Sequence, residues 1–274
     1  MKGETLIIEP GASERHYWRD LWQYRELFYV LAWRDVSVRY KQTVIGLIWA
    51  LARPLLTMVV FTVIFGKIAN LPPEGAAPYA LMVFAGLLPW QLFSSALAGA
   101  SSSLVSNSNL IGKVYFPRLI VPASSVVVAF IDFLIAFVIL IGLMVWYRYV
   151  PGWQIVTLPL FIAMAFFASL GLGLWIASLN VKYRDFQHIV PFLIQFGLYI
   201  SPVGFSSSVV PEAWRLWYSL NPIVAVIEGF RWAVLGEVAP YMPRLVVSWV
   251  IILALFWLGT RQFRRMEKNF ADLI

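Results

Sequence analysis

The chain has 274 residues, 61% of them hydrophobic and only 13% charged, with a mean hydropathy of +0.77; a water-soluble domain carries about 25% charged residues, so this one lacks the charge to cover a water-facing surface and reads as an integral membrane protein. Its net charge of +7 lies between apolar blocks, without a continuous basic helix or zinc-ligand spacing, which argues against nucleic acid as a partner. Cysteine is absent and histidine occurs only as His16 and His188, which excludes disulfides, thiolate metal sites and cysteine nucleophiles and leaves no ligand cluster for a metal.

Residues 1–43 form a cytoplasmic lead. The first 21 are a polar lead, and the first 40 are polar and charged, which argues against a cleaved signal peptide and leaves targeting to the first spanning helix. From 22 to 43, apolar Leu27, Phe28, Leu31, Trp33, Val36 and Val38 alternate with Arg25, Glu26, Arg34, Asp35, Arg39 and Lys41. That charge is too dense to span, and the pattern predicts an amphipathic helix in the cytoplasmic interface, with Trp and Tyr at headgroup depth; the alternative is a solvated helix that leads into the membrane. A transmembrane domain follows over 44–260. Its first span, 44–65, covers about 33 Å at 1.5 Å per residue, is interrupted by Arg53, and bends at Pro54. Residues 66–78 make an outer loop, and the second span runs over 79–100.

Residues 101–109 hold five serines and two asparagines. With Lys113, Pro117, Arg118 and Pro122 they mark a cytoplasmic connection with a short helix over 106–118. The third span, 120–147, carries Asp132 near its centre. A turn at 148–152 leads to the fourth span, 153–179, where Ala163, Ala168, Gly171, Gly173 and Ala177 permit close helix approach. A polar loop at 180–185 precedes the fifth apolar run, 189–201, which is short unless it reaches 205. The pieces 209–220 and 223–235 are too short to span and contain Glu212, Arg215, Glu228 and Arg231. Asn221 and Pro222 between them form a cap and turn. An outer re-entrant helical hairpin within 201–240 is the economical reading, its irregular backbone covered by protein or facing water. The sixth span, 245–258, starts as early as 242, and a basic cytoplasmic tail occupies 261–274. The expected fold is all-α, with six transmembrane helices, an interfacial helix and the outer hairpin.

With the N-terminus inside, fifteen Lys and Arg residues fall on the inner side and five on the outer. That bias puts both termini in the cytoplasm and makes the number of spans even. Arg53 and Asp132 are the intramembrane charges, and such charges are expensive in lipid. Arg53 can snorkel to the headgroups. Asp132 must pair, protonate or face water, so it is either a packing partner within the bundle or a gating residue on a channel. The 16% aromatic content serves as interface anchors or as platforms for sugar C–H faces. A phosphate-cradling glycine loop, HExxH and GxSxG are all missing. The chain itself therefore reads as non-catalytic, with energy for uphill transport supplied by another subunit or an ion gradient. The lack of a strong internal repeat counts against an inverted-repeat transporter.

The stretch WRDVSVRYKQTVIGLIWALARP (33–54), continued by TMVVFTVIFGKIA (57–69), resembles the opening of type-2 ABC exporter permeases. More narrowly it resembles the branch that exports lipid-linked polysaccharides such as O-antigen, capsule and teichoic acid. NLIGKVYFPRLIVPAS (109–124), NVKYRDF (180–186), SPVGF (201–205) and LNPIVAVIEGFRWAVLG (220–236) match later parts of that branch in order, so the resemblance covers about 26–259. It implies a bacterial cytoplasmic (inner) membrane protein, a homodimer around a central channel, and two separate ABC ATPase subunits that hold ATP and magnesium. This chain would bind no cofactor. The cargo implied is a polyprenyl-(pyro)phosphate-linked polysaccharide, and the outer re-entrant helices would carry Glu228 and Arg231. Leu110, Lys113, Tyr115, Phe116 and Arg118 fall in the segment that couples to the ATPase. Trp33, Arg34, Arg39 and Lys41 fall on the interface helix at the substrate entry, where the cations would attract the pyrophosphate. The other readings are a permease of this class for a small molecule or lipid, and a non-transporting scaffold of glycan synthesis.

Overall fold

The computed structural model describes residues 13–40, 44–71, 75, 77–211, 214, 217–236, 239–268 and 270. Every regular element among them is helical. In lipid each backbone N–H and C=O needs an internal partner, and a helix supplies it locally. Helices α1 (Ser13–Gln23) and α2 (Arg25–Tyr40) lead in. The Tyr24 amide donates to Asp20 and the Phe28 amide to Tyr24, so the two join with hardly a break. Helix α3 (Val44–Phe61) widens into a π-type turn at Thr62–Ile68. Then come α4 (Tyr79–Ser106), a four-residue α5 (Ser108–Ile111), α6 (Ile120–Trp146), α7 (Leu158–Lys182), α8 (Phe186–Ile200), α9 (Pro222–Leu235) and α10 (Met242–Glu267).

Among the described residues five stretches are long and apolar enough to cross a bilayer: Leu51–Ile68, Tyr79–Ser106, Ile120–Trp146, Trp153–Lys182 and Met242–Glu267. Helix α8 is apolar but has 15 residues, about 22 Å at 1.5 Å per residue against a hydrocarbon core of about 30 Å. Of the six spans expected, five are long helices and the fifth in order is short, because the chain turns extended at Ser201, just before Pro202.

Two expected boundaries move outward. The serines at 101–106 extend α4 instead of ending it. Ser101 and Ser102 donate to the Ala98 carbonyl at 3.0 and 2.9 Å, and Ser103 to Ala100 at 2.7 Å, so the hydroxyls are absorbed by the helix they were expected to break. Likewise α10 runs past 258 through the basic residues to Glu267.

Helix α4 is the buried axis of the bundle, packed against α3, α6, α7 and α9. Small residues set the close crossings. A Cβ on Gly173 would meet that of Ala100 at 2.6 Å, and one on Gly171 would meet the Phe256 Cα at 2.6 Å. Gly259, not singled out in the sequence, sits directly against the Gly171 carbonyl. The chain runs alternately between two ends. At the basic end the tips of α4 and α7 meet, Asn180 donating to the Ser101 carbonyl at 3.1 Å. At the opposite end Tyr79 donates to the Gly204 carbonyl, Tyr149 to that of Leu235, and the Trp153 and Trp232 rings meet edge to face.

The segment expected to form an outer hairpin lies at that opposite end. Part of 209–220, including Glu212 and Arg215, falls outside the described residues. Helix α9 starts where Asn221 caps the Ile223 amide, with Pro222 as its first residue, and ends at Gly236 with φ +61°. It is about 21 Å long, buried almost all round, and packed against α4, α7 and α10. The chain between α8 and α9 is also buried at 201–204 but is not helical, so its carbonyls need other donors. Tyr79 serves Gly204, and most of the rest falls to Arg231, 2% exposed. It donates to Val203 at 2.7 Å, to Phe205 at 3.1 Å and to Met82 on α4 at 3.2 Å. Gly86 leaves the space, since a Cβ there would lie 2.7 Å from the guanidinium.

Arg231→Met removes the donor from three carbonyls, and hydrogen bonds to charged groups are worth about 1.5–3 kcal/mol each. We expect a sharp fall in Tm and in monodisperse yield in detergent, with little rescue by Arg231→Lys, whose single ammonium cannot span the three acceptors. A parental Tm for Arg231→Met would remove the stapling role.

Candidate functional site at the basic end

The connection between α4 and α6 has an exposed tip between buried shoulders. Asn107 closes α4 by donating to the Ser103 carbonyl at 2.9 Å. The Lys113 and Val114 amides both return to the Leu110 carbonyl, which folds 110–114 into a tight turn. Lys113 and Val114 face outward with Tyr115, whose side chain is 57% exposed. Ile111 and Phe116, the latter 4% exposed, turn into the core on either side, and Leu110 packs partly against it. Of the five coupling candidates, then, Lys113 and Tyr115 form the outward surface while Leu110 and Phe116 hold the shape.

Arg118 is half-buried and turned inward. Its amide donates to the Glu267 carboxylate at 2.7 Å, its guanidinium donates to the Glu267 backbone carbonyl, and it lies 5.9 Å from the Phe270 ring centroid. Tyr17 on α1 joins them, its ring 4.7 Å from the Arg264 guanidinium. Burial, then the nearby Glu267 charge, pushes the Tyr17 hydroxyl well above the ordinary phenol range. Neither Tyr17 nor Glu267 stood out in the sequence. The available signal was an acidic residue among Arg261, Arg264, Arg265 and Lys268.

Helix α2 lies along α6. Leu31 and Ala32 are buried while Trp33 is 73% exposed. Arg34 bonds Asp35 and the Asn107 side chain, both at 2.7 Å, which ties α2 to the end of α4. Arg39 pairs with Asp132 at 2.6 Å, and Tyr40 donates to the other carboxylate oxygen. Burial, then Asp132, raises the Tyr40 pKa and keeps it a donor. Lys41 lies outside the described residues. Arg53 is exposed on α3. The partners of Asp132 thus come from α2, and Tyr40, which sequence reasoning passed over, is one of them. At the opposite end Glu228 and Arg231 part company: Arg231 binds carbonyls, while Glu228 pairs with Arg244 of α10 at 2.6 Å. Among the described residues no three or more His, Asp or Glu side chains converge as a metal site.

Half-exposed pairs contribute about 0.5–1 kcal/mol. Asp132→Asn and Arg39→Gln should therefore each speed hydrogen exchange in the last turns of α2 by up to about fivefold. The double variant should be no faster than Asp132→Asn alone, because that change already removes the ionic partner of Arg39. Additive effects would show that the two side chains act separately.

Residues 26–235 match the ABC-2 type transporter family. The chain is similar to the O-antigen export system permease protein RfbA of Myxococcus xanthus, with 28% identity over 258 residues covering 93% of this chain and 98% of that protein. It is 25% identical to the polysialic acid transport protein KpsM of Escherichia coli over 242 residues, 86% of this chain and 91% of that one. It is 26% identical to the inner membrane transport permease YadH of Escherichia coli (strain K12) over 204 residues, 69% and 77% of the two chains. The family match runs from the start of α2 to the end of α9 and takes in the exposed tip, the α2–α6 ion pair and the buried Arg231, so the chain belongs to the ABC-2 type transporter family of membrane permeases.

Proposed function

We propose that this chain is the membrane-spanning subunit of an ATP-driven exporter that carries polyprenyl-(pyro)phosphate-linked polysaccharide, of O-antigen, capsule or teichoic acid type, across the bacterial cytoplasmic membrane. The observation that carries this reading is the near full-length similarity to permeases named for O-antigen export and polysialic acid transport. The chain acts as a homodimer with two ABC ATPase subunits, which hold ATP and magnesium and perform the hydrolysis.

In this reading the basic end is cytoplasmic and the chain crosses six times. Helix α8 with residues 201–205 makes the fifth crossing, and α9 re-enters from the outer side. Support comes from the alternation of α3, α4, α6, α7, α8 and α10 between the two ends, from the meeting of Tyr17 and Arg264 at one of them, and from the excess of Lys and Arg there. The outward tip docks on the ATPase through Lys113 and Tyr115, framed by Leu110, Phe116 and Arg118. ATP-driven closure of the partner shifts this segment, and packed helices convert a small shift into a change between two arrangements. A polysaccharide cannot cross lipid unaided because its hydroxyls lose their water partners; a channel between subunits removes that penalty. Trp33, Arg34, Arg39 and Lys41 stand at the entry, where the headgroup phosphates compete with Asp35 and Asp132 for Arg34 and Arg39.

The similarity to YadH, a permease whose name states no cargo, favours a second reading in which the same machinery moves a small molecule or lipid. Deletion of the gene separates the two. Trapped lipid-linked polymer inside the cell supports polysaccharide export. Normal surface polymer, with no paralogue present, sinks it. ATP-dependent uptake of a small molecule by proteoliposomes carrying permease and ATPase favours the second reading. If neither cargo moves with ATP, the chain is a scaffold.

Replacing Lys113 and Tyr115 together by Ala should leave membrane insertion and basal ATP hydrolysis intact while lowering export per ATP by about tenfold, the effect of losing one interface anchor. Hydrolysis by the assembled complex and polymer at the surface check this, and unchanged export clears both residues of the docking role.

A further inference from the structure

The root of the α4–α6 connection is built unlike its tip. Glu267 stands in the last turn of α10, where the helix dipole favours cations, so it does not serve the stability of its own helix. Instead its carboxylate accepts the Arg118 amide at 2.7 Å, and the Arg118 guanidinium caps its carbonyl in return. Phe263 and Phe270, both fully buried with ring centroids 5.3 Å apart, close over this clasp. From the other side α1 brings Tyr17 against Arg264. Three parts of the chain distant in sequence therefore meet at one carboxylate.

Helix α10 has a second clasp at its far end. Arg244, in its first turn, holds both oxygens of Glu228 at 2.6 and 2.9 Å, and each side chain is at least 86% buried. Glu228 belongs to α9, the short buried helix. The two clasps are about 35 Å apart along one uninterrupted helix. Between them α10 touches α7 backbone to backbone at Gly259 and Gly171, which fixes where the two helices cross. We infer that α10 carries displacement of the α4–α6 connection at the basic end to α9 at the opposite end, with Glu267 the positioning residue at one clasp and the Glu228–Arg244 pair at the other. The inference rests on the reading that the connection docks on an ATPase.

The test is hydrogen–deuterium exchange on the full permease–ATPase complex in nanodiscs, with and without a non-hydrolysable ATP analogue. In the parent, nucleotide should change exchange both in 107–119 and in 222–235. In Glu267→Ala the change at 107–119 should persist and that at 222–235 should be lost. Glu267→Gln, which keeps an acceptor for the Arg118 amide, should retain it. Glu228→Gln should also lose the response at 222–235 while keeping that at 107–119. A merely structural role would alter exchange equally with and without nucleotide. A response at 222–235 that survives Glu267→Ala overturns the relay, as does a parent whose connection responds while α9 does not. A parent in which 107–119 ignores nucleotide overturns the docking reading, and the relay with it.

Discussion

Inside an apolar molecule a backbone carbonyl without a donor has no water to turn to, and this chain places several such carbonyls at depth. Residues 201–204 leave helical geometry while still buried. The structure resolves that conflict chiefly with Arg231, whose planar fork reaches Val203, Phe205 and Met82 at once. A guanidinium suits this task because its five donors are fixed in a plane and it is weakly hydrated. The same constraint explains why the serines beyond residue 100 bond back into α4, and why at the far end Tyr79 reaches the Gly204 carbonyl and Tyr149 the last carbonyl of α9. The arrangement of α8, α9 and the chain between them follows from where those donors sit.

Once the polar groups are satisfied, shape decides which helices touch. Lipid gives no hydrophobic drive for helix association, so contact area and close approach matter. Gly171 and Gly259 bring α7 and α10 to backbone distance, and Gly173 does the same between α7 and α4. These crossings tie the last long helix to the buried axis of the bundle.

Charge is sorted by depth. Lys113, Lys182, Arg184 and Arg265 remain exposed at the basic end. Charges that must sit lower are paired across elements: Asp132 with Arg39, and Glu228 with Arg244. Each pair joins a short helix to a long one. These pairs reinforce the attachment of α2 and α9, whereas α4 and α7 are held by apolar packing.

Membership of the bilayer, the helical class, the positions of most long helices and the polar connection after α4 were legible in the sequence. They depend on local quantities: apolar run length, charge density, proline and the Asn–Pro cap of α9. Serine misled because its hydroxyl has two uses, breaking a helix in water and bonding back to it in an apolar bundle. Hidden from the sequence were the partners of Asp132, the inward turn of Arg118, the role of Glu267 and the parting of Glu228 from Arg231. Each depends on which side chain from a distant segment arrives within about 3 Å, and that is set by the crossing of packed helices. Composition and periodicity along one helix carry no information about its neighbour's register.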